Sequence, residues 1–355
     1  MKTLLVTGGA GFIGSNFIRL LHTQCPDILI INLDLLTYAG NLENLQEVRE
    51  DSSYIFAKGD ICDRKLLMNL FEQYDFDAVV NFAAESHVDR SIENPEIFFD
   101  TNVKGTLALL DTSLHFWKNN PNDKYDRSYK AGVKFIQVST DEVYGSLGEE
   151  GFFTETTPLA PNSPYSASKA SADLLVRAYY ETYGLPVNIT RCSNNYGPYQ
   201  FPEKLIPLMI NNCVHNLPLP VYGNGKQIRD WLHVNDHCNA INMVLHKGMP
   251  GFVYNIGGGG EKTNIEIVKQ ILYHLQKPDS LVEYVKDRPG HDRRYAIDSS
   301  KISSELGWAP AYSFERGLDE TIRWYLDHPV WIESVTSGSY QQYYDKMYGK
   351  ASFVK

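Results

Sequence analysis

The segment over residues 7–14 constrains the fold of this chain more than any other, because four of its eight residues are glycine. It follows an apolar run over residues 2–7, which predicts a buried strand, and precedes a helical pattern over residues 13–23. Glycine lets the backbone approach a phosphate, and the N-terminus of a helix offers free N–H groups and a positive dipole end. A glycine turn in this setting predicts a dinucleotide-binding site.

An acidic residue follows the turn at the position that such a site requires. Asp34 comes 20 residues after Gly14, at the end of a second β-rich run over residues 28–34. A carboxylate there bonds the adenosine ribose hydroxyls and repels a 2′-phosphate. No Lys or Arg follows Asp34 until Arg49, which favours NAD over NADP as the cofactor. A plain glycine turn with a capping Asp is the alternative.

Strand and helix patterns alternate through the first half of the chain. Alternation of this kind predicts a Rossmann-type, doubly wound parallel sheet with helices on both faces. The further predicted strands are residues 54–60, 77–84, 133–140 and 186–190, and the main predicted helices are residues 64–73 and 98–116.

The pattern changes after Arg191, where Gly, Pro and Asn become frequent and the elements become short and irregular. We predict a first domain over residues 1–191 and a smaller C-terminal α/β domain over residues 192–330, with some strands returning to the first sheet. The polar stretch over residues 119–130 predicts a surface loop. The tail over residues 331–355 is rich in tyrosine and suggests no function by itself. The elements predicted in the second domain are residues 203–215, 252–256, 264–275 and 314–328.

Composition narrows the class of protein. A chain of 355 residues fits about two domains. The net charge is −10 and no Lys/Arg run is present, which disfavours a nucleic acid or an anionic membrane as the partner. The five cysteines are odd in number and form no CxxC pair, so we expect neither a disulfide framework nor a metal site. No apolar stretch is long enough to span a membrane or form a signal-peptide core. We therefore predict a cytoplasmic protein.

Tyr165 and Lys169 lie four residues apart at the start of a predicted helix, after Pro164. Positions i and i+4 share a helix face, so the phenol and the ammonium can lie together. A nearby ammonium favours the phenolate and makes tyrosine a usable base for removing a hydroxyl proton while hydride leaves the same carbon. The motif alone is more often a surface helix pair, and the preceding dinucleotide half is what makes it evidence for catalysis.

Thr140, Asp141 and Glu142 follow the fifth predicted strand. Ligands of open α/β sheets bind beyond the carboxyl ends of the strands. Two adjacent carboxyls raise one another's pKa, so that one can be a protonated acid while the other is a base. A solvated acidic turn is the equal alternative on these residues alone.

Six strings together resemble the extended short-chain dehydrogenase/reductase family of nucleotide-sugar enzymes, and within it the 4,6-dehydratases. The resemblance covers about residues 1–328. The strings are residues 36–41, 83–91, 139–145, 163–169, 194–200 and 287–292.

The resemblance implies a lyase that carries out a hydride cycle on dTDP-glucose with tightly bound NAD. Tyr165 would take the proton of the sugar 4-hydroxyl while the C4 hydride goes to NAD, and Thr140 would bond O4. Glu142 would remove the C5 proton, Asp141 would protonate the departing C6 hydroxyl, and the hydride would return to C6. The product would be dTDP-4-keto-6-deoxyglucose, a precursor of deoxysugars such as rhamnose.

The resemblance also assigns binding residues and a homodimer formed through two helices per subunit, here residues 98–116 and 165–183. Leu35 departs from the family, which often has Lys at this position. The cofactor-binding residues are Gly8, Gly11, Phe12, Ile13, Gly14, Asp34, Leu35, Leu36, Thr37, Asp60, Ile61, Phe82, Ala83, Ala84, Ser86, Thr101, Tyr165, Lys169 and Asn195. The residues for the sugar nucleotide are Ser86, His87, Thr140, Asn194, Lys204, Leu205, Val221, Tyr222, Arg229, Asn264, Arg288 and His291.

Three alternatives stay open at this point. The chain could be another enzyme of the same family, namely an epimerase, a decarboxylase or a dehydratase of a GDP-, CDP- or UDP-sugar. A non-catalytic dinucleotide sensor would not need the Tyr165/Lys169 pair or the acidic pair, and both pairs are present. A simple alcohol dehydrogenase would not use Asp141 and Glu142.

Overall fold

The computed structural model describes residues 1–337 and 339–348, and its centre is a seven-stranded parallel sheet. The strand order is β10-β6-β5-β4-β1-β2-β3, which confirms the predicted doubly wound sheet. The strands are β1 Thr3–Thr7, β2 Leu29–Asp34, β3 Tyr54–Lys58, β4 Ala78–Asn81, β5 Lys134–Thr140, β6 Val187–Cys192 and β10 Val253–Ile256.

Helices cover both faces of this sheet because successive residues of a buried strand point to opposite sides. On β1, Leu4 and Val6 pack on the side of α1 and α8, whereas Leu5 packs on the opposite side with α2, α5 and α6. The helices of this part of the chain are α1 Phe12–Gln24, α2 Arg64–Tyr74, α3 Val88–Glu93, α4 Pro95–Phe99, α5 Thr106–Trp117, α6 Pro164–Tyr183 and α8 Val234–Lys247.

A smaller unit lies beyond the carboxyl ends of the strands. In it β7 pairs with β9 in parallel, β11 pairs with β9 in antiparallel, and β12 pairs with β8 in parallel. The strands are β7 Asn194–Tyr196, β8 Leu219–Tyr222, β9 Ile228–His233, β11 Glu261–Thr263 and β12 Val282–Val285. Its helices are α7 Leu205–His215, α9 Asn264–His274, α11 Phe314–Asp327, α12 Pro329–Thr336 and α13 Ser339–Tyr348, whereas α10 Ser300–Leu306 packs on the central sheet beside β10 and α8.

The chain crosses between the two units more than once. β10 returns to pair with β6, and α8 packs on α1. Elements from both sides of Arg191 thus belong to the unit of the central sheet, and the domain boundary after Arg191 stays a prediction. Of the predicted tail, residues 331–337 and 339–348 are helical or adjoin helices, and residues 338 and 349–355 lie outside the described part.

The helix predicted over residues 98–116 is not one continuous α-helix. Residues 98–116 comprise the end of α4, a π-helical turn over Asp100–Gly105, and α5. The buried side chain of Asn102 bonds the backbone of Glu85 and donates to Ser168 Oγ at 2.8 Å. A Cβ on Gly105 would lie 2.4 Å from Ile61 Cδ1. These contacts hold the turn against the cofactor side of the sheet.

The fourth predicted strand is shorter than residues 77–84. The ladder ends where Phe82 N donates to Thr7 O at 3.0 Å, and the next residues leave the sheet. The segment that follows is thereby free to line a cavity. Among the described residues, no helix is long and apolar enough to cross a membrane.

Candidate active site

The glycine turn between β1 and α1 is shaped by close backbone packing. Gly8 has φ +69°, and a Cβ there would lie 2.5 Å from Ala83 N. A Cβ on Gly14 would lie 2.4 Å from Gly8 O. Neither position has room for a side chain. Gly8 N, Ala10 N and Gly11 N bond within the protein, and the first turn of α1 presents the N–H groups that a helix start leaves without partners. Such a cradle suits the pyrophosphate of a dinucleotide.

Asp34 closes the turn from the end of β2. Its Oδ2 accepts from Ala10 N at 2.9 Å, and its Oδ1 accepts from Leu36 N at 2.8 Å. Burial raises the pKa of this carboxyl, and the two backbone hydrogen bonds lower it. Leu36 has φ +57°, which turns the chain back toward the carboxylate.

A cavity runs from this turn along the carboxyl ends of the strands. It is lined by every residue that the sequence assigned to the cofactor except Leu36, which lies behind it and holds Asp34. Ser86 and Thr140, two of the residues predicted to bind the sugar, also line this cavity. Which of these residues contact the cofactor stays a prediction, and the cradle fits one.

The acidic pair lies at the inner end of that cavity, where β5 turns into a short 3₁₀ helix over Asp141–Tyr144. Thr140 caps this helix, since its hydroxyl accepts from Glu142 N at 3.3 Å and donates to Asp141 Oδ1 at 3.3 Å. Asp141 is buried, and its Oδ2 has no hydrogen-bond partner among the described residues. A buried carboxyl oxygen without a hydrogen-bond partner lowers the stability of the fold unless a ligand bonds to it.

The two carboxyls differ in their surroundings. Burial, and then the charges of Glu142 and Asp230, raise the pKa of Asp141 well above its usual range. Burial also raises the pKa of Glu142, but the nearby charges of Arg288 and Lys204 lower it. The pKa of both carboxyls is raised, that of Asp141 the more, which suits Asp141 as the acid and Glu142 as the base. The acidic turn is not a solvated one.

Tyr165 begins α6 beside this pair. Pro164 occupies the first helical position, and Ser163 and Ser166 cap the helix reciprocally. The structure gives Lys169 a different partner from the expected phenol, since Nζ donates to Val138 O at 2.7 Å.

The expected lowering of the Tyr165 pKa is wrong for this structure. Burial raises the pKa of Tyr165 well above its usual value, and the negative charge of Glu142 raises it further, while a hydrogen bond with Thr140 lowers it. Burial and the charge of Glu142 therefore oppose phenolate formation, and a positive charge placed in the cavity would favour it.

A second cavity continues from the first toward the smaller unit. The two cavities share six lining residues, namely Glu142, Asn194, Asn195, Gln200, Glu203 and Lys204. All the other residues predicted for the sugar nucleotide line the second cavity, namely His87, Leu205, Val221, Tyr222, Arg229, Asn264, Arg288 and His291. Three of its lining residues, Lys204, Arg229 and Arg288, are cationic, which suits a diphosphate.

Four further residues shape the site and were not assigned from the sequence. Arg90 Nε lies 3.2 Å from the buried Glu203 Oε2, beside Lys204. His237 Nδ1 lies 2.9 Å from Asn195 Oδ1 and orients that amide. Asp89 lies 3.6 Å from Arg288 across the second cavity. Asp89 and Arg90 belong to a string that carried the resemblance, whereas Glu203 and His237 gave no local signal.

Comparison with known proteins gives consistent matches over nearly the whole chain. The family model described as GDP-mannose 4,6 dehydratase matches residues 5–321. A dTDP-glucose 4,6-dehydratase of Xanthomonas campestris pv. campestris (strain B100) is 57% identical over 350 residues, which cover 96% of this chain and 98% of that protein.

Two solved structures are similarly close. A dTDP-glucose 4,6-dehydratase of Bacillus anthracis str. Ames in complex with NAD is 52% identical, with a TM-score of 0.85, covering 94% of this chain and 100% of the other. The dTDP-glucose 4,6-dehydratase DesIV of Streptomyces venezuelae, with NAD and a second ligand bound, is 50% identical, with a TM-score of 0.86. The match covers 94% of this chain and 99% of DesIV.

Proposed function

The chain belongs to the GDP-mannose 4,6-dehydratase family, and we propose that it converts dTDP-glucose to dTDP-4-keto-6-deoxyglucose with tightly bound NAD. The observation that carries the proposal is the buried Asp141, which lines the cavity beside Glu142 and Tyr165 and whose Oδ2 has no hydrogen-bond partner among the described residues. Water elimination needs both an acid and a base at one end of the cofactor cavity. Epimerisation and simple oxidation need neither group.

The hexose would lie where the two cavities meet, with the cofactor in the first cavity and the nucleotide end in the second. NAD held by the lining residues of the first cavity would supply a hydride acceptor for C4 and a hydride donor for C6. Tyr165 takes the 4-hydroxyl proton, so that O4 becomes a ketone and the C5 hydrogen becomes acidic. A positive charge in the cavity would offset the burial that raises the pKa of this phenol.

Elimination divides between the two carboxyls according to their pKa directions. Glu142, whose pKa Arg288 and Lys204 lower against the effect of burial, removes the C5 proton. Asp141, whose pKa burial raises the more, gives its proton to the C6 hydroxyl, which leaves as water with the C–O bond electrons. When the hydride arrives at C6, Glu142 returns a proton to C5.

One turnover leaves Tyr165 with an extra proton and Asp141 without its own. Thr140 is hydrogen-bonded to both groups, to Asp141 Oδ1 at 3.3 Å and to the phenol of Tyr165. Its hydroxyl therefore offers a route by which the proton returns from Tyr165 to Asp141. The acid is thereby ready for the next substrate.

The deciding experiment is turnover of dTDP-glucose, UDP-glucose and GDP-mannose by the purified protein with no cofactor added. We expect dTDP-glucose to give a 4-keto-6-deoxy product, which absorbs in alkali, much faster than the other two. Equal turnover of all three would contradict the proposed nucleotide preference. A C4 epimer as the product would contradict the dehydratase itself.

We also propose a homodimer in the cytoplasm. Ile97 and Phe99 of α4 and Leu174 of α6 are exposed apolar side chains in or near the two helices that the sequence resemblance assigns to a dimer interface, and the five cysteines are free thiols. Light scattering at micromolar concentration tests the dimer, since a monomeric mass would contradict it. Fractionation of cells tests the compartment.

A further inference from the structure

The last described helix, α13, carries four tyrosines and packs against the second cavity. We propose that Tyr348 is a binding residue for the nucleoside diphosphate end of the substrate and that α13 forms one wall of that subsite. This inference rests on the proposed function, because the substrate of the site determines what the second cavity holds.

Tyr348 belongs to a cluster around the cations of the second cavity. It lines that cavity and is 9% exposed, with its hydroxyl 3.5 Å from the hydroxyl of Tyr222. Tyr222 donates to Asp89 Oδ2 at 3.3 Å, and Arg288 lies 3.6 Å from Asp89 Oδ1. The Arg288 guanidinium is also 5.8 Å from the centre of the Tyr222 ring. Tyr348 therefore adds an aromatic side chain beside the groups that suit a diphosphate.

The position of Tyr348 along the site determines which part of the substrate it contacts. The reacting carbons of the hexose must lie near Tyr165 and Asp141, which line the first cavity. Tyr348 lines only the second cavity, beyond the shared residue Lys204. The part of a sugar nucleotide that extends this far from the hexose is the diphosphate and nucleoside. An aromatic ring offers that end a rigid surface with little loss of side-chain entropy.

Contacts with α3 fix the orientation of α13. The Arg90 guanidinium lies between two tyrosine rings, 3.8 Å from the centre of Tyr38 and 4.1 Å from that of Tyr343. The hydroxyl of Tyr343 is 3.4 Å from His87 Nδ1, and Lys346 Nζ is 2.7 Å from Glu93 Oε2. Because α3 and its N-cap His87 also line the second cavity, these contacts hold α13 beside that cavity.

Substitutions of Tyr348 test the proposal by separate measurements of dTDP and NAD affinity. We expect Tyr348→Ala to weaken dTDP binding at least about fivefold by calorimetry, the lower end for loss of an aromatic contact with a nucleotide. The KM for dTDP-glucose should rise by a similar factor with a much smaller change in kcat. NAD affinity should hold. Tyr348→Phe keeps the aromatic ring and should lose less dTDP affinity than Tyr348→Ala.

A matched control is Tyr273→Ala, because Tyr273 lies on α9 of the same unit and is 83% exposed. It should bind dTDP as the unaltered protein does. If Tyr348→Ala does not fold by its melting transition, Tyr348→Leu keeps the apolar bulk, and it too should weaken dTDP binding. A folded Ala or Leu variant with unaltered dTDP affinity and KM overturns the inference.

The two proposals fail in different ways. If the unaltered protein does not turn over dTDP-glucose, the proposed function is wrong. If it does, and the Tyr348 variants match it in dTDP affinity and KM, only the role of Tyr348 is wrong. A lower melting temperature with unaltered dTDP affinity would assign Tyr348 to folding alone and would also overturn its binding role.

Discussion

The backbone nitrogen of Ala10 lies 2.9 Å from Asp34 Oδ2, so the glycine turn and the end of β2 are joined through one carboxylate. Leu36 N holds the other oxygen at 2.8 Å. A carboxylate oxygen can accept two hydrogen bonds, so each oxygen of Asp34 keeps one free position. Those positions suit the two hydroxyls of an adenosine ribose, and they place a negative charge where NADP carries a phosphate.

Cofactor choice is the first prediction. The protein should bind NAD at least about 100-fold more tightly than NADP, because juxtaposed like charges cost several kcal/mol. Fluorescence or calorimetric titration of the cofactor-free protein measures both constants. Asp34→Asn should reduce the preference for NAD over NADP, since the amide carries no negative charge to repel the 2′-phosphate. Comparable NAD and NADP affinities in the unaltered protein would show that Asp34 does not bind the adenosine ribose.

The second prediction concerns Tyr165. Tyr165→Phe should lower the rate of C4 oxidation by about 10²–10⁴-fold, the usual contribution of a positioned acid or base. NAD binding should change little because the ring remains. Stopped-flow absorbance of the bound cofactor after addition of dTDP-glucose measures the step. Reduction at the unaltered rate would show that another group takes the 4-hydroxyl proton.

The sequence predicted those parts of the site that depend on short stretches of chain. Gly8, Gly14 and Asp34 are recognisable because a turn between strand and helix imposes its residues locally. Asp141 and Tyr165 follow from their places at a strand end and a helix start. The structure confirms that these groups line one cavity.

Other parts depend on contacts between distant segments and could not be predicted. Arg90 and Tyr343 are far apart in sequence, and only the packing of α13 on α3 brings them together. The pKa direction of Tyr165 was wrong because burial outweighs the spacing that suggested a Lys169 partner. The richness of the tail in tyrosine was a visible signal, but nothing in the sequence said which surface it covers.

The third prediction is a pH dependence of stability that arises from His237. Burial lowers the pKa of His237 from 6.5 to about 3. The unfolded chain therefore binds a proton at higher pH than the folded one, so stability is fully present above pH 6.5 and is lost as the pH falls toward 3. Near pH 5 this histidine should contribute a slope of about 1.4 kcal/mol per pH unit.

Urea unfolding of the unaltered protein and of His237→Gln between pH 6 and 4 measures that slope. The Gln side chain can still donate to Asn195 Oδ1 and does not titrate in this range. The variant should lose stability less steeply with acid. Parallel curves for the two proteins would mean that His237 has the same pKa in the folded and unfolded states.

The last prediction separates the roles of the two carboxyls. Asp141 is buried with one oxygen unpaired, which favours the protonated acid, whereas Glu142 faces Arg288 and Lys204, which favour the ionised base. Asp141→Asn keeps the size but cannot donate a proton as an acid, and Glu142→Gln keeps the shape but cannot remove one. Both changes leave the Tyr165 side chain and the glycine turn in place, and loss of the Glu142 charge removes one cause that raises the pKa of Tyr165, so C4 oxidation should continue in both variants.

Both variants should therefore stop between oxidation and elimination, with product formation slowed by about 10²–10⁴-fold. Near-ultraviolet absorbance of the reduced cofactor should persist after substrate is added, where in the unaltered protein it decays. Exchange of the C5 hydrogen with deuterated solvent, followed by mass spectrometry, distinguishes the two. It should fail in Glu142→Gln, which lacks the base, and continue in Asp141→Asn, which lacks only the acid. Product formation at the unaltered rate in both variants would show that elimination uses neither carboxyl, and the dehydratase proposal would lose its physical basis.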